Sequence, residues 1–159
     1  MPTLWERLEQ WELVILDGPT ATRLEQQGAS NATSAWSALA TLEDADLVRE
    51  VHEDYIKAGA DVVTVNTFAA SRLALETAGL GDRTREINGR AVEFAIEARD
   101  RTAGGRDVAI AGSISHFLGW DLNSRGNYLT RRRTDAESLR ANFQEQAEAL
   151  AAGGCDLII

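Results

Sequence analysis

Cysteine is nearly absent from this sequence. Cys155 is the only one in 159 residues, so no intramolecular disulfide can form and the reducing cytoplasm is the expected compartment. Basic residues are also scarce: 16 Lys and Arg against 25 Asp and Glu leave a formal net charge of -9. No basic face is available to neutralise phosphates, which argues against nucleic acid as a partner. The densest basic run, Arg131-Arg132-Arg133, lies between two threonines and reads as a solvated loop. Lys57, the only lysine, stands just before the helix-ending Gly59 and not at a strand end. A Schiff-base aldolase fails on that position. No apolar run approaches membrane-spanning length. The first residues, MPTLWERLEQWE, alternate apolar and charged side chains and lack the apolar centre of a signal peptide.

What is present is a repeating β-α pattern. An apolar content of 44% suffices for one ordinary core. Four short aliphatic runs stand out: LVIL from Leu13, DVVTV from Asp61, DVAIA from Asp107 and CDLII from Cys155. Each is too short for a helix and continuously apolar, as in a strand buried on both faces. Helical periodicity fills gaps between them, with Leu47, Val51 and Tyr55 in one segment and Leu139, Phe143, Ala147 and Leu150 in another. Thr134 with Glu137 forms a capping-box pattern for the last helix, and Gly59 and Gly154 take helix-stop positions. The joints AGADVV and GGCDLI look like copies of one helix-to-strand turn. Such a chain folds as parallel β/α units.

Helix-to-strand joints are tight and strand-to-helix connections long, from Gly18 to Thr41 and from Ser113 to Thr134. In parallel α/β folds the ligand site lies beyond the carboxyl ends of the strands, among those long loops. Asp17 and Gly18, Asn66 and Thr67, and Ser113 and Ser115 fall there, so three successive strands finish in small polar groups. The first turn, DGPTATRLEQQG, has neither G-x-G-x-x-G spacing nor a phosphate-loop lysine, which counts against a doubly wound nucleotide fold. A (β/α)8 barrel fits the unit better but needs ~250 residues. Four units make the N-terminal half of a (β/α)8 TIM barrel. On the residues alone Asp17 has two roles open to it, a substrate contact or a cap on the following turn. Asn66 likewise either lines a pocket or bonds a neighbouring loop.

The ordered segments LDGPTATRLEQQG, WSALATLEDADLVREVHEDYIKAGADVVTVNTFAAS, VAIAGSIS and ALAAGGCDLII resemble homocysteine S-methyltransferases over nearly the whole chain. The resemblance implies a (β/α)8 barrel that moves a methyl group from a sulfonium, ammonium or folate donor to the thiol of homocysteine, giving methionine. It implies that Asp17 offers its carboxylate to the substrate ammonium and that Gly18 allows close approach of the backbone. Asn66, Thr67 and Ser113 would line the same pocket. The family commonly reads Gly-Ser-Ile-Gly-Pro where this chain has Gly112-Ser113-Ile114-Ser115-His116, so loop placement or donor preference is expected to differ. His116 reads as an exposed loop histidine, and Trp120 and Tyr128 are candidates to cover a cationic methyl donor.

The family also implies Zn²⁺ held by three cysteines, which binds the substrate sulfur as thiolate. Those ligands belong to later barrel strands and have no counterpart here. Cys155 precedes the fourth strand and is expected at the opposite end from the site, as a small buried apolar residue. His52 lies within a helix. The expectation is therefore one partial homocysteine-binding domain over residues 1–159, inactive by itself and without a catalytic or metal-ligating residue of its own. The alternative is a non-catalytic half-barrel that functions only by association with another chain. Apolar inner-face residues such as Val14, Leu16, Val63 and Val65 would stay partly covered and invite self-association.

Overall fold

The computed structural model describes residues 2–29, 35–118, 120–122, 128–131 and 134–159. A short helix α1 (Leu4–Glu9) is followed by α2 (Thr20–Gln26), a 3-10 turn (Trp36–Leu39), α3 (Ala40–Glu43) and α4 (Ala45–Lys57). Then come β1 (Val62–Thr64), α5 (Arg72–Glu76), α6 (Thr84–Thr102), β2 (Ala109–Gly112), a hairpin of β3 (Trp120–Leu122) and β4 (Tyr128–Arg131), α7 (Ala136–Gly153) and β5 (Leu157–Ile158). The main sheet is parallel in the order β1-β2-β5. Leu16 adds a parallel bridge to Val62 on the free side of β1. Four parallel segments thus sit side by side in chain order with no reversal. A doubly wound sheet reverses its order at a switch point, whereas a barrel does not.

Of the helix-to-strand joints, those after α4 and α7 are the same turn twice. After α4 the Ala60 amide donates to Tyr55 O (3.0 Å), and after α7 the Cys155 amide donates to Leu150 O (3.2 Å). Gly59 and Gly154 hold the left-handed conformation this helix end requires, with φ of 108° and 100°. The aspartate that follows then grips the preceding segment of the sheet through backbone and side chain. Asp61 accepts from Ile15 N (3.0 Å) and Asp156 from Ile110 N (2.8 Å) through their Oδ2 atoms. These joints set the parallel register from the chain itself.

Alternation along each strand divides two layers. Val63, Val65 and Ile110 point to the helices and pack with Ile56, Ala91, Val92, Ala95, Ala98 and Leu150. At roughly 1.5–3 kcal/mol per fully buried aliphatic side chain, this is the principal source of stability. Val63 and Val65 are 0% and 2% exposed, so neither belongs to an open inner face. The other layer is formed by Val62, Ala109 and Ala111 with Leu4 of α1, flanked by Val14 and Leu157. α1 covers part of it because the Leu4 amide donates to Asp107 Oδ2 (2.8 Å).

Three local expectations are corrected. The first run is not a strand buried on both faces: Leu13, Ile15 and Leu16 are 78%, 49% and 54% exposed at the edge of the sheet. The cap of α7 is Asp135, whose carboxylate accepts from Ser138 N (2.8 Å), so the start lies one residue beyond the Thr134 pattern. The stretch from Ser113 to Thr134 contains the antiparallel β3–β4 hairpin, which pairs Trp120 with Arg131. The side chains of Trp120 and Tyr128, and Arg132 and Arg133 altogether, lie outside the described residues.

Candidate functional site

The bridge at Leu16 ends in Asp17, whose amide donates to Val62 O (3.0 Å). This brings the Asp17 carboxylate to the carboxyl end of β1. There Oδ2 accepts from Thr64 N (2.8 Å) and Oδ1 from Thr64 Oγ1 (2.7 Å). Among the described residues no cation forms an ion pair with it. Burial pushes the Asp17 carboxyl up to about 6, against the lowering effect of the two Thr64 bonds. The site therefore holds an oriented, half-buried anion without a positive partner among the described residues.

Gly18 follows with a different constraint from the expected one. A Cβ there would meet the Tyr55 ring, 2.8 Å from Oη and 2.9 Å from Cε1. A side chain there would require the Tyr55 ring or the turn to shift.

Asp17, Gly18, Asn66 and Ser113 line one cavity of about 260 Å³, together with Thr20, Ser37, Thr64 and Phe68. Four of the five expected residues are thus brought together. Asn66 is buried, and its amide donates to Ser37 O (2.8 Å) and Thr41 Oγ1 (3.3 Å). It both lines the pocket and ties the 3-10 turn to the sheet. Thr67, fully buried, stands behind the wall. Its hydroxyl donates to Ser113 O (2.9 Å) and accepts from Ser113 N (3.1 Å), clamping β1 to β2. Thr64, Tyr55, Ser37 and Phe68 were not anticipated. Thr64 had a signal, being the one polar residue that interrupts the valines after Asp61 in DVVTV.

The remaining candidates lie elsewhere. His116 is exposed. His52 is fully buried in α4 with neither ring nitrogen partnered among the described residues, and burial pulls its pKa down to about 4. Cys155 packs against the helix-side core, and burial pushes its thiol up to about 12. Among the described residues no group of three His, Cys, Asp or Glu could hold a metal ion. None of their helices is long and apolar enough to cross a membrane.

Parallel β/α units in barrel order, with a cavity at the carboxyl ends of the strands that Asp17, Asn66 and Ser113 help to line, define half of a TIM barrel. The homocysteine S-methyltransferase family model matches residues 14–159, and the chain belongs to that family. It is 31% identical over 156 residues to a homocysteine S-methyltransferase of Escherichia coli strain K12, covering 95% of this chain and 50% of that protein. It is 35% identical over 162 residues to the homocysteine S-methyltransferase YbgG of Bacillus subtilis strain 168, again 95% and 50%. Among solved structures, the oxidized form of the E. coli homocysteine methyltransferase MmuM superposes with a TM-score of 0.76 at 28% identity, over 95% of this chain and 53% of that one. Its metallated form gives 0.73 at 30%, over 95% and 54%. The chain spans about half the length of the curated relatives it matches.

Proposed function

We propose that this chain is the amino-acid-binding half of a homocysteine methyltransferase. In this reading the cavity at the strand tops takes the amino-acid end of homocysteine and leaves the thiol directed toward the part of the barrel that its relatives build from their other half. The observation that carries it is the Asp17 carboxylate, fixed by Thr64, half-buried and without a cation among the described residues. A substrate ammonium completes that site with a charge-assisted hydrogen bond. Ser113 and Asn66 supply polar wall, and Phe68 supplies an apolar edge for the substrate methylenes. The overall reaction is transfer of a methyl group from a sulfonium, ammonium or folate donor to the thiol, giving methionine. The one-cysteine composition supports a reducing, cytoplasmic setting.

The Zn²⁺ implied by the family does not fit the residues present. Cys155 is the only thiol, it lies in the helix-side layer, and burial keeps it protonated at neutral pH. The chain's own residues bind and orient the amino acid, and thiol activation is left to groups outside it. Co-expression with the C-terminal half of the E. coli relative tests the reading, by assay of methyl transfer to homocysteine from S-methylmethionine. Activity in the pair and not in either half supports it. A reconstituted pair that carries its metal but does not turn over contradicts it.

A second reading, a half-barrel that works only by association, is favoured by one observation. Leu8, Trp11, Leu13, Leu16, Leu157 and Ile159 line an apolar hollow of about 510 Å³ on the inner side of the sheet.

A further inference from the structure

The turn that follows β1 is held by side chains from three separate elements. Thr67 O accepts from Gln146 Nε2 of α7 (2.8 Å), Phe68 O from Ser115 Oγ (2.7 Å), and Ala70 O from Asn88 Nδ2 of α6 (2.7 Å). Gln146 Nε2 also reaches Asn88 Oδ1 (3.3 Å), which joins two of the three. Gln146 and Asn88 are both fully buried. One turn before Gln146, Asn142 Oδ1 accepts from Leu73 N (2.9 Å) at the far end of the same turn. A buried amide that bonds a backbone carbonyl fixes both the position and the direction of that peptide, since the donor has few alternative geometries once water is excluded.

This turn carries the wall of the cavity. Asn66 precedes it, and Phe68, at its centre, lines the cavity while stacked on Phe117 with ring centroids 6.3 Å apart. Phe68 is 44% exposed, so packing around its own ring does not by itself immobilise it. Its placement therefore depends on the backbone beneath as well as on its ring contacts.

We propose that Gln146, acting with Asn88 and Ser115, is a positioning residue for the ligand cavity: it clamps the Thr67 peptide so that Asn66 and Phe68 hold the wall in a binding-ready shape. The inference rests on the homocysteine reading for the identity of the ligand and not for the clamp itself. Gln146 Oε1 has no partner among the described residues, so the side chain is anchored through Nε2 alone. Gln146→Met keeps length and burial and removes that donor. Gln144→Met, at an exposed position of α7, serves as the control.

Two measurements on the whole chain test the proposal. The first is amide hydrogen exchange at Ala70, whose N–H donates to the same Thr67 O (3.0 Å), compared with Val65 in the sheet. Gln146→Met is expected to speed Ala70 exchange at least tenfold relative to Val65. The second is homocysteine affinity by NMR titration, expected to fall about tenfold in Gln146→Met and to stay unchanged in Gln144→Met. Exchange that rises equally at Ala70 and Val65 would show only global loosening and overturn the proposal, as would unchanged Ala70 exchange. If the parent chain takes no homocysteine, the ligand reading fails separately and Ala70 exchange still decides the clamp.

Discussion

Asp17 shows how one side chain connects sequence, stability and ligand chemistry. Its carboxyl is raised in the fold to about 6 from about 3.9 in an unfolded chain. The folded state therefore binds the extra proton between those values, and Asp17's contribution to stability is full below pH 4 and lost as the pH rises through 6. His52 acts oppositely in an overlapping window. Its depressed pKa of about 4 gives a contribution present above pH 6.5 and lost as the pH falls toward 4. Comparing one variant with its parent isolates the Asp17 effect. The melting temperature of Asp17→Asn, measured at a series of pH values, should match the parent near pH 4 and exceed it above pH 6, by up to about 3 kcal/mol in stability. A difference independent of pH would show that Asp17 is not destabilised by burial. The position of Asp17 was legible in LDGPT, because an apolar run that stops at a carboxylate and a glycine is unusual for a turn. Its lock on Thr64 was not, since a parallel neighbour 47 residues away leaves no local trace. The reason for Gly18 was hidden similarly: Tyr55 approaches it from α4, a contact set by packing and not by the turn.

At the scale of elements, β1, β2 and β5 were readable from continuous aliphatic runs, the first and last of which follow tight glycine joints. The segment 13–16 carries the same composition but forms a single bridge to β1, at Leu16, and among the described residues no strand lies along its outer edge. Composition reports the burial a segment suits, not whether a neighbour is present. α6 has a weaker sequence signature than its burial warrants, since Ala91, Ala95 and Ala98 supply much of its packed face. Alanine packs tightly between helices and adds little to an apolar pattern. The start of α7 was misplaced by one residue because Thr134 and Asp135 are both good caps, and Asp135 is the one aligned with Ser138 N. Asp135→Ala should therefore lower the melting temperature, while Thr134→Ala should leave it nearly unchanged. The reverse order in thermal unfolding would restore the capping box expected from the sequence.

At the scale of the molecule, the fold class and the ring of polar strand ends were legible because barrel order repeats a local unit. The coverage of the inner layer by α1 was not, since it depends on long-range contacts, from Leu4 to Asp107 and from Arg7 to Asp61 and Leu13. Coverage remains partial: Trp11 is 95% exposed beside Leu13 and Leu16. At about 25 cal/mol per Å² of apolar surface, several such side chains together amount to a few kcal/mol, comparable with domain stability. Sedimentation velocity at micromolar concentration should accordingly find a dimer or larger species, dispersed by Leu16→Asp; a monomer throughout would contradict that account. The central claim is that the strand tops bind the ammonium of homocysteine through Asp17. NMR titration of this chain with homocysteine at pH 7.5, beside Asp17→Asn, tests it most directly. Saturable shifts are predicted at Gly18, Thr64 and Phe68, with affinity weakened roughly tenfold or more in the variant, as for a hydrogen bond to a charged group. Equal affinity in the two proteins, or no saturable shift in the parent, would contradict it.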